Sequence, residues 1–327
     1  MASSSHETEQ YWSNLDRAEN LQLLAKLQTQ GPRDVIHRHY PQLEDIIYSP
    51  KRGAGLELLE LTGQESCIDY GCMWGALTIP LAKRAGFVLG VDKTLESLRF
   101  LQARVREEGF TNIGLLRHDI TAMPVLAKPA DVAVVNGVLE WVPEHGAVEL
   151  KRFFGQSQSR RYSGSPMARQ LLFLRRVREN LTPAGKLYLA IENRFDLRMF
   201  LGYPDPHTNL RGTTIAPRWL ANIISQRSVQ RPYVNWIYSF HGLRKVLIKA
   251  GFSRIDCFAC FPDYRYPQRI VPYDRSLRQL NSILFPLDGP DGKRTLKRYI
   301  AHALERLAFR YGNLKCLAPS IIAIGRP

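Results

Sequence analysis

Two acidic residues and a glycine turn in this sequence stand at a spacing that can hold a nucleotide. The segment Asp69-x-Gly71-x-Met73-x-Gly75 follows one short apolar run, and Asp92 closes another. A strand, a glycine turn, a helix, a second strand and a terminal acid are the parts of a nucleotide-binding βαβ unit. Asp92 lies 21 positions after Gly71, which is what one helix and one returning strand occupy in a right-handed crossover. A carboxylate at that place can accept both hydroxyls of a ribose.

The turn itself distinguishes between classes of ligand. A phosphate-binding loop would carry a Lys-Ser or Lys-Thr pair, which is absent here. A dinucleotide site needs three glycines, so that the pyrophosphate can sit on the helix N-terminus. Here Met73 takes the place of a glycine, and Asp69, two residues before Gly71, would repel a pyrophosphate. The same acid suits a ligand with a sulfonium and an ammonium group, as in S-adenosylmethionine.

On these residues the chain resembles the class I S-adenosylmethionine-dependent methyltransferases, whose first motif reads Asp-x-Gly-x-Gly-x-Gly. The resemblance continues in order through residues 117–120, 130–136, 138–143 and 181–186. It implies a Rossmann-like three-layer α/β sandwich, with a seven-stranded, mostly parallel sheet whose last strand is antiparallel. Met73 departs from the motif and leaves the seating of the methionine end of the cofactor open.

The same resemblance assigns ten residues to the cofactor. It places Asp69 and the two glycines of the turn near the methionine part, Asp92 at the ribose and residues 119–120 beside the adenine. Residues 136 and 138 would lie beneath the sulfonium. The complete set is Asp69, Gly71, Met73, Gly75, Asp92, Lys93, Asp119, Ile120, Asn136 and Val138.

Methyl transfer to a hydroxyl needs a group that orients the nucleophile and removes its proton. The candidates after the predicted fourth and fifth strands are Glu140, Glu192 and His207. His207 has the most suitable intrinsic pKa and stands in a predicted loop. A loop histidine can also be a surface residue, and Glu192 can be a hydrogen-bonded strand terminus, so these alternatives stay open.

Three segments, 191–195, 202–208 and 261–267, also resemble methyltransferase domains associated with bacterial surface-polysaccharide biosynthesis. This second resemblance implies transfer to a sugar hydroxyl or a similar small polar acceptor. It places five residues at the acceptor: Asn193, Tyr203, Asp205, Tyr264 and Tyr266. The tyrosines can alternatively form the core of an inserted segment.

Composition limits the class of protein. The chain has 327 residues with 45% hydrophobic content, enough for a full core. It begins with a polar, acidic stretch, and no apolar run approaches the roughly 18 residues of a membrane span. We therefore predict a soluble cytoplasmic protein without a transmembrane segment, although peripheral membrane contact stays open.

The net charge of +15 is partly local, because residues 265–315 hold eleven Lys and Arg against four Asp and Glu. Such a stretch can hold RNA or an anionic membrane, or it can be a solvated helix face. Its aromatic residues form no compact stacking motif, so we favour the solvated face.

The five cysteines predict buried thiols rather than a disulfide framework. Cys257 and Cys260 stand three apart in a predicted strand and would point to opposite faces. No second pair completes a tetrahedral zinc site, so the sequence predicts no metal.

Periodicity predicts a helical N-terminal prelude over residues 1–62. The methyltransferase domain would then span residues 63–327, with insertions at about 144–166, 193–240 and 262–317.

The sequence therefore predicts an S-adenosylmethionine-dependent methyltransferase that acts on oxygen of a small polar or sugar-containing acceptor. Three alternatives stay open: an enzyme for RNA or another large anionic partner, an amine N-methyltransferase, and a cofactor-binding scaffold without catalysis. The oligomeric state is not predicted.

Overall fold

Eight strands form a single sheet in the computed structural model, which describes residues 15, 17–145, 165–273, 296, 299–300, 302–304 and 314–327. The strands are β1 (Ser66–Tyr70), β2 (Phe87–Asp92), β3 (Ile113–Arg117), β4 (Ala130–Asn136), β5 (Leu181–Glu192), β6 (Arg254–Phe261), β7 (Arg269–Pro272) and β8 (Ser320–Arg326). Their order across the sheet is β3-β2-β1-β4-β5-β8-β6-β7.

The first five strands are parallel, and β8 lies antiparallel between β5 and β6. The predicted α/β fold with an antiparallel last strand is confirmed. The order reverses between β1 and β4, and ligands of such sheets bind outside the carboxyl ends of the strands at this point.

The sheet has one strand more than the seven predicted. β7 has four residues and pairs antiparallel with β6 at the edge of the sheet. It lies within the predicted insertion at 262–317, and it ends with Pro272, a residue that strands tolerate mainly at edges. A run this short, in a segment with several prolines, gives no alternation that a sequence pattern can detect.

Among the described residues, α-helices pack around the sheet. They are α1 (Arg17–Lys26), α2 (Pro32–His39), α3 (Glu44–Tyr48), α4 (Thr78–Ala82), α5 (Leu95–Glu107), α6 (Val142–His145), α7 (Pro166–Glu179), α8 (Leu197–Phe200), α9 (Arg218–Val229) and α10 (Phe240–Ala250). A 3₁₀ helix covers Pro50–Leu59.

Apolar side chains cover both faces of the sheet, as expected for parallel strands. One face buries Phe173 of α7 and Leu247 of α10 against the strands. The other face buries Leu56 of the 3₁₀ helix and Leu81 of α4. Strands β4 and β5 are thus fixed from both sides, which positions the residues that follow them.

The N-terminal helices form a separate apolar cluster against the glycine turn. Ile36 of α2 and Ile47 of α3 are buried together with Trp74 of the turn and Phe100 of α5. The rings of Trp74 and Phe100 lie 4.9 Å apart between centroids. The described part of the predicted prelude therefore packs beside the turn.

The predicted insertions are described to different extents. Residues 193–240 are described completely and contain α8 and α9. Residues 146–164 of the first insertion lie outside the described residues, as do most of residues 274–313 of the third. Among the described residues, none of the helices combines the length and apolarity needed to cross a membrane.

Candidate active site

The turn after β1 holds three residues in the left-handed backbone region. The φ angles are 74° at Gly71, 45° at Met73 and 77° at Gly75. A Cβ atom on Gly71 would lie only 2.8 Å from Cγ2 of Val138. Glycine is required at this position because the turn passes directly against the segment that follows β4.

Met73 occupies a conformation that non-glycine residues rarely adopt, which explains why a glycine is usual there. Its backbone N–H donates to Oδ2 of Asp92 at 2.9 Å, and Thr94 N–H donates to Oδ1 at 2.8 Å. Asp92 at the end of β2 thus closes the turn from the other side. It is 4% exposed.

Asp69 is the next-to-last residue of β1 and is buried. Its Oδ2 accepts a hydrogen bond of 2.7 Å from Oγ1 of Thr78 at the start of α4. Burial raises the pKa of Asp69 to about 6, against the hydrogen bond from Thr78, while the negative charge of Asp92 raises it further. Asp69 therefore takes up a proton at a higher pH than an exposed aspartate does, and a nearby cation would favour its ionised form.

The loop after β3 is joined to the end of β2, because His118 N–H donates to the carbonyl of Asp92 at 2.9 Å. Oδ1 of Asp119 accepts from both the N–H and the hydroxyl of Thr121, each at 2.8 Å. Lys93 lies between these segments, and its carbonyl accepts from Nε of Arg117. The residues predicted for the ribose and adenine thus lie at adjacent strand ends.

Asn136, the last residue of β4, leads into Gly137 and Val138. Gly137 has φ 65°, and a Cβ there would lie 2.4 Å from the hydroxyl oxygen of Tyr264. Val138 packs against Gly71 on its other side. This segment therefore separates the glycine turn from Tyr264.

The geometry fits the cofactor that the sequence implies. The carboxylate of Asp92 accepts the N–H groups of Met73 and Thr94 and is also bonded by the Thr94 side chain. A carboxylate has about four lone-pair sites, and because the Thr94 hydroxyl can rotate, both oxygens can accept a ribose diol. The absence of a Cβ at Gly71 leaves room where the turn approaches Val138. Asp69 is the buried acid nearest in sequence to this turn and suits a cationic group.

The three predicted catalytic residues come together in one buried cluster. Nε2 of His207 lies 3.5 Å from Oε2 of Glu192 and 3.8 Å from Oε1 of Glu140. The exposed fractions of the three side chains are 3% for His207, 14% for Glu192 and 1% for Glu140. The alternative of a surface histidine is therefore excluded. We call these three residues the acid–histidine cluster.

Asp205 anchors the loop that carries His207. Its carboxylate accepts from the N–H of His207 at 2.8 Å and from the hydroxyls of Thr214 and Tyr233 at 2.9 and 2.8 Å. Oδ1 of Asp205 also lies 3.4 Å from Nδ1 of His207. The imidazole is thus held with Nδ1 toward Asp205 and Nε2 toward the glutamates.

The charges of the cluster affect one another strongly. Burial alone would lower the pKa of His207, but Glu192, Asp205 and Glu140 raise it well above its usual value. Burial and the nearby Glu192 raise the pKa of Glu140. The pKa of Glu192 is lowered despite its burial, because His207 stabilises the carboxylate. For the same reason the pKa of Asp205 falls to about 2.

The residues predicted to contact the acceptor have different environments. The hydroxyl of Tyr264 donates to Oε1 of Glu192 at 3.2 Å, so Tyr264 touches the cluster. The amide of Asn193 donates to the carbonyls of Cys316 and Ala318, which makes it a bonded strand terminus.

The other two predicted tyrosines lie apart from these bonds. Tyr203 is 44% exposed. The guanidinium carbon of Arg52 lies over the ring of Tyr266, 5.7 Å from the ring centroid. The acceptor roles of all five residues stay predictions.

Two residues near the cluster had no assigned role in the sequence. The ring of Trp141 lies edge-on to His207, with 5.2 Å between centroids. Gln170 of α7 is buried and donates to the carbonyls of Leu139 and Trp236 at 2.8 and 2.7 Å. Trp141 directly follows Glu140, and this adjacency was the one feature of the sequence that could have indicated a place near the cluster. Gln170 could not be identified because its partners are distant in sequence.

Residues 67–154 match a family model described as "Methyltransferase domain". No curated protein matches the chain. Among solved structures, the chain is similar to an S-adenosylmethionine-dependent methyltransferase from Thermotoga maritima, at 12% identity and a TM-score of 0.44 over 90% of this chain and 98% of that one.

It is also similar to the N-methyltransferase NodS from Bradyrhizobium japonicum, solved with S-adenosyl-L-homocysteine. The identity is 19% and the TM-score 0.34, over 54% of this chain and 74% of that one.

Proposed function

We propose that this chain is a class I S-adenosylmethionine-dependent methyltransferase and that it methylates a hydroxyl group of a small polar acceptor held against the acid–histidine cluster. The match of residues 67–154 to a methyltransferase domain supports the first part. One observation supports the proposal most strongly. The cluster presents buried atoms without hydrogen-bond partners among the described residues: Oε2 of Glu140, Oε2 of Glu192 and Nδ1 of His207. Two of these atoms are carboxylate oxygens, which accept a hydrogen bond from a hydroxyl.

A chain of contacts supports placing the acceptor beside the cofactor. Gly71 touches Val138, the adjacent Gly137 touches the hydroxyl of Tyr264, and that hydroxyl donates to Glu192. In our proposal the cofactor lies along the ends of β1, β2 and β3. Asn136 and Val138 would then lie between the cofactor and the cluster.

When bound, S-adenosylmethionine supplies the methyl group: its C–S bond breaks as the C–O bond forms, and the sulfonium becomes a neutral thioether. The cluster orients the acceptor hydroxyl through Oε2 of Glu140 or Glu192 and takes up its proton. Asp205 and Tyr264 are positioning residues, since they hold His207 and Glu192 in place. Asp69 and Asp92 hold the cofactor from the opposite side.

The meeting of two sequence segments supports including sugar-containing acceptors in the proposal. Residues 202–208 supply Asp205 and His207, and residues 261–267 supply Tyr264. These are segments that resemble methyltransferase domains associated with polysaccharide biosynthesis. We therefore include sugar hydroxyls in the proposed acceptor class.

The proposal is tested by methyl transfer from labelled S-adenosylmethionine to matched acceptors: sugars and other polyols, the corresponding amines, and bulk RNA. We expect product with the hydroxyl acceptors, and Glu140→Gln should reduce kcat by about 10²–10⁴-fold, the usual contribution of a positioned acid or base. Glu144→Gln, an exposed neighbour in α6, is the matched control and should keep normal turnover. Methylation of the amines or of RNA alone would contradict the proposal.

The affinity for S-adenosylmethionine should depend on pH through Asp69. Its pKa of about 6 is raised by burial, and the groups facing it are the Thr78 hydroxyl, Asp92 and Arg52. The ordinary pKa of an aspartate is 3.8, so folding of the free protein favours the protonated form of Asp69. Its contribution to the free energy of unfolding therefore falls as pH rises from about 4 to 6. A bound ammonium or sulfonium favours the ionised form, so Kd should be about tenfold lower at pH 7 than at pH 5.

Calorimetric titrations with S-adenosylmethionine at several pH values check this dependence. Asp69→Asn should bind more weakly and lose the pH dependence of Kd. A wild-type Kd that stays constant between pH 5 and pH 7 would contradict the assignment of Asp69 to the cationic part of the cofactor.

A further inference from the structure

The acid–histidine cluster has more unpartnered atoms than a buried ion pair normally leaves. Oε2 of Glu140 is buried and unpartnered on a side chain that is 1% exposed. Oε2 of Glu192 also has no hydrogen bond among the described residues. Buried polar atoms are nearly always satisfied. Two unsatisfied carboxylate oxygens at one place therefore point to a missing partner.

The ligand atoms have the spacing of a metal site. One ligand atom from each of Glu140, Glu192 and His207 can be chosen so that all lie within 4.8 Å of one another. Nε2 of His207 lies 3.5 Å and 3.8 Å from the nearest oxygens of the glutamates. Ligands bound at 2.0–2.2 Å in a tetrahedral site lie roughly 3.3–3.6 Å apart, so small side-chain shifts suffice.

The surrounding residues support two of the three ligands. Asp205 lies 3.4 Å from Nδ1 of His207, which leaves Nε2 facing the two glutamates. The carboxylate–histidine–metal arrangement uses this orientation to fix the ring. Tyr264 donates to Oε1 of Glu192 and leaves Oε2 toward His207.

From these observations we propose that Glu140, Glu192 and His207 bind one divalent cation of the first transition row, such as Mn²⁺ or Zn²⁺. The donor set of two carboxylates and one imidazole suits this class, because imidazole favours transition metals over Ca²⁺ and Mg²⁺. Two carboxylates also compensate the charge of a divalent ion. Three protein ligands leave at least one coordination position open.

The proposed metal site would take part in the proposed methyl transfer, and only this catalytic role rests on the proposed function. An acceptor hydroxyl in the open position would have its pKa lowered by the cation. Metal binding itself can be measured without cofactor or acceptor. Failure of this site would therefore leave the test of methyl transfer unaffected.

The test uses the 327-residue chain after dialysis against a chelator. Titration with Mn²⁺, followed by electron paramagnetic resonance of the free ion, gives stoichiometry and Kd. We expect one site with Kd below about 100 μM, and at least about tenfold weaker binding by Glu192→Gln, since even losing an outer partner costs 10–100-fold. Glu144→Gln removes an exposed carboxylate nearby and should bind as the wild type does.

A second variant guards against a loss of folding in Glu192→Gln. Tyr264→Phe keeps all three ligands and removes only the hydrogen bond to Glu192, and it should weaken Mn²⁺ binding by about tenfold. Absence of saturable Mn²⁺ and Zn²⁺ binding by the wild type would overturn the proposal. Equal Kd values for the wild type and a folded cluster variant would overturn it as well.

Discussion

Replacing Arg104 with methionine should lower the free energy of unfolding by about 3–5 kcal/mol, because the change leaves buried backbone acceptors without a donor. Arg104 lies in α5 and is buried. Its Nη1 donates to the carbonyls of Ile47 and Trp74 at 3.1 Å and of Gly75 at 3.3 Å. One side chain thus joins the N-terminal helices to the glycine turn.

The remaining contacts of Arg104 add to this loss. Nε pairs with Glu108 at 2.7 Å, and the guanidinium lies 4.4 Å from the ring centroid of Tyr48. Methionine keeps much of the volume but supplies neither donor nor charge. Lysine would keep the charge but lacks the planar set of donors, so Arg104→Lys should lose less stability than Arg104→Met.

Chemical denaturation monitored by circular dichroism measures the effect. Arg106→Met, an exposed position of the same helix, is the control and should change the free energy of unfolding by less than about 0.5 kcal/mol. If Arg104→Met unfolds at the same denaturant concentration as Arg106→Met, the three carbonyl contacts do not stabilise the protein as described.

The sheet could be predicted because its signals are local. The strand Arg254–Phe261 contains Cys257 and Cys260, which the sequence placed in a strand, and it begins shortly after the glycine that ends α10. The glycine turn and Asp92 lie within one βαβ unit whose spacing is fixed by its helix. For the same reason the sequence could place Asp92 beside the glycine turn without any tertiary information.

The acid–histidine cluster required tertiary structure. Glu140, Glu192 and His207 were named separately as residues that follow strands, and nothing in the sequence shows that their side chains meet. The loop that carries His207 is held by Asp205, which accepts from Thr214 and Tyr233 in later segments. Contacts of this kind have no periodicity, and the unpartnered oxygens that suggest a metal are visible only after packing is known.

The environment of the turn also explains the unusual residue at position 73. Met73 keeps the glycine-like φ of 45° while its N–H donates to Asp92. Left-handed conformations cost a non-glycine residue roughly 1–2 kcal/mol, and the charge-assisted bond to Asp92 offsets part of this. The motif is therefore preserved in backbone geometry although its sequence differs.

Replacing Asp92 with alanine should weaken the binding of S-adenosylmethionine by about 10²–10⁴-fold. In our proposal each carboxylate oxygen accepts one ribose hydroxyl, and hydrogen bonds to a charged group contribute about 1.5–3 kcal/mol each. The variant also frees the N–H groups of Met73 and Thr94, so the turn loses the acceptor that shapes it.

Asp92→Asn separates these two effects. Asparagine keeps the volume and one oxygen acceptor but exchanges the other oxygen for a donor, so its loss of affinity should be intermediate, about 10–100-fold for one lost charge-assisted bond. Calorimetric titration with S-adenosylmethionine gives Kd, and Asp34→Ala, an exposed acid of α2, is the control for charge alone. Because the carboxylate is proposed to bind the ribose and not the methionine part, S-adenosylhomocysteine should lose affinity by the same factor. A loss confined to one of the two ligands, or none in Asp92→Ala, would place the ribose elsewhere.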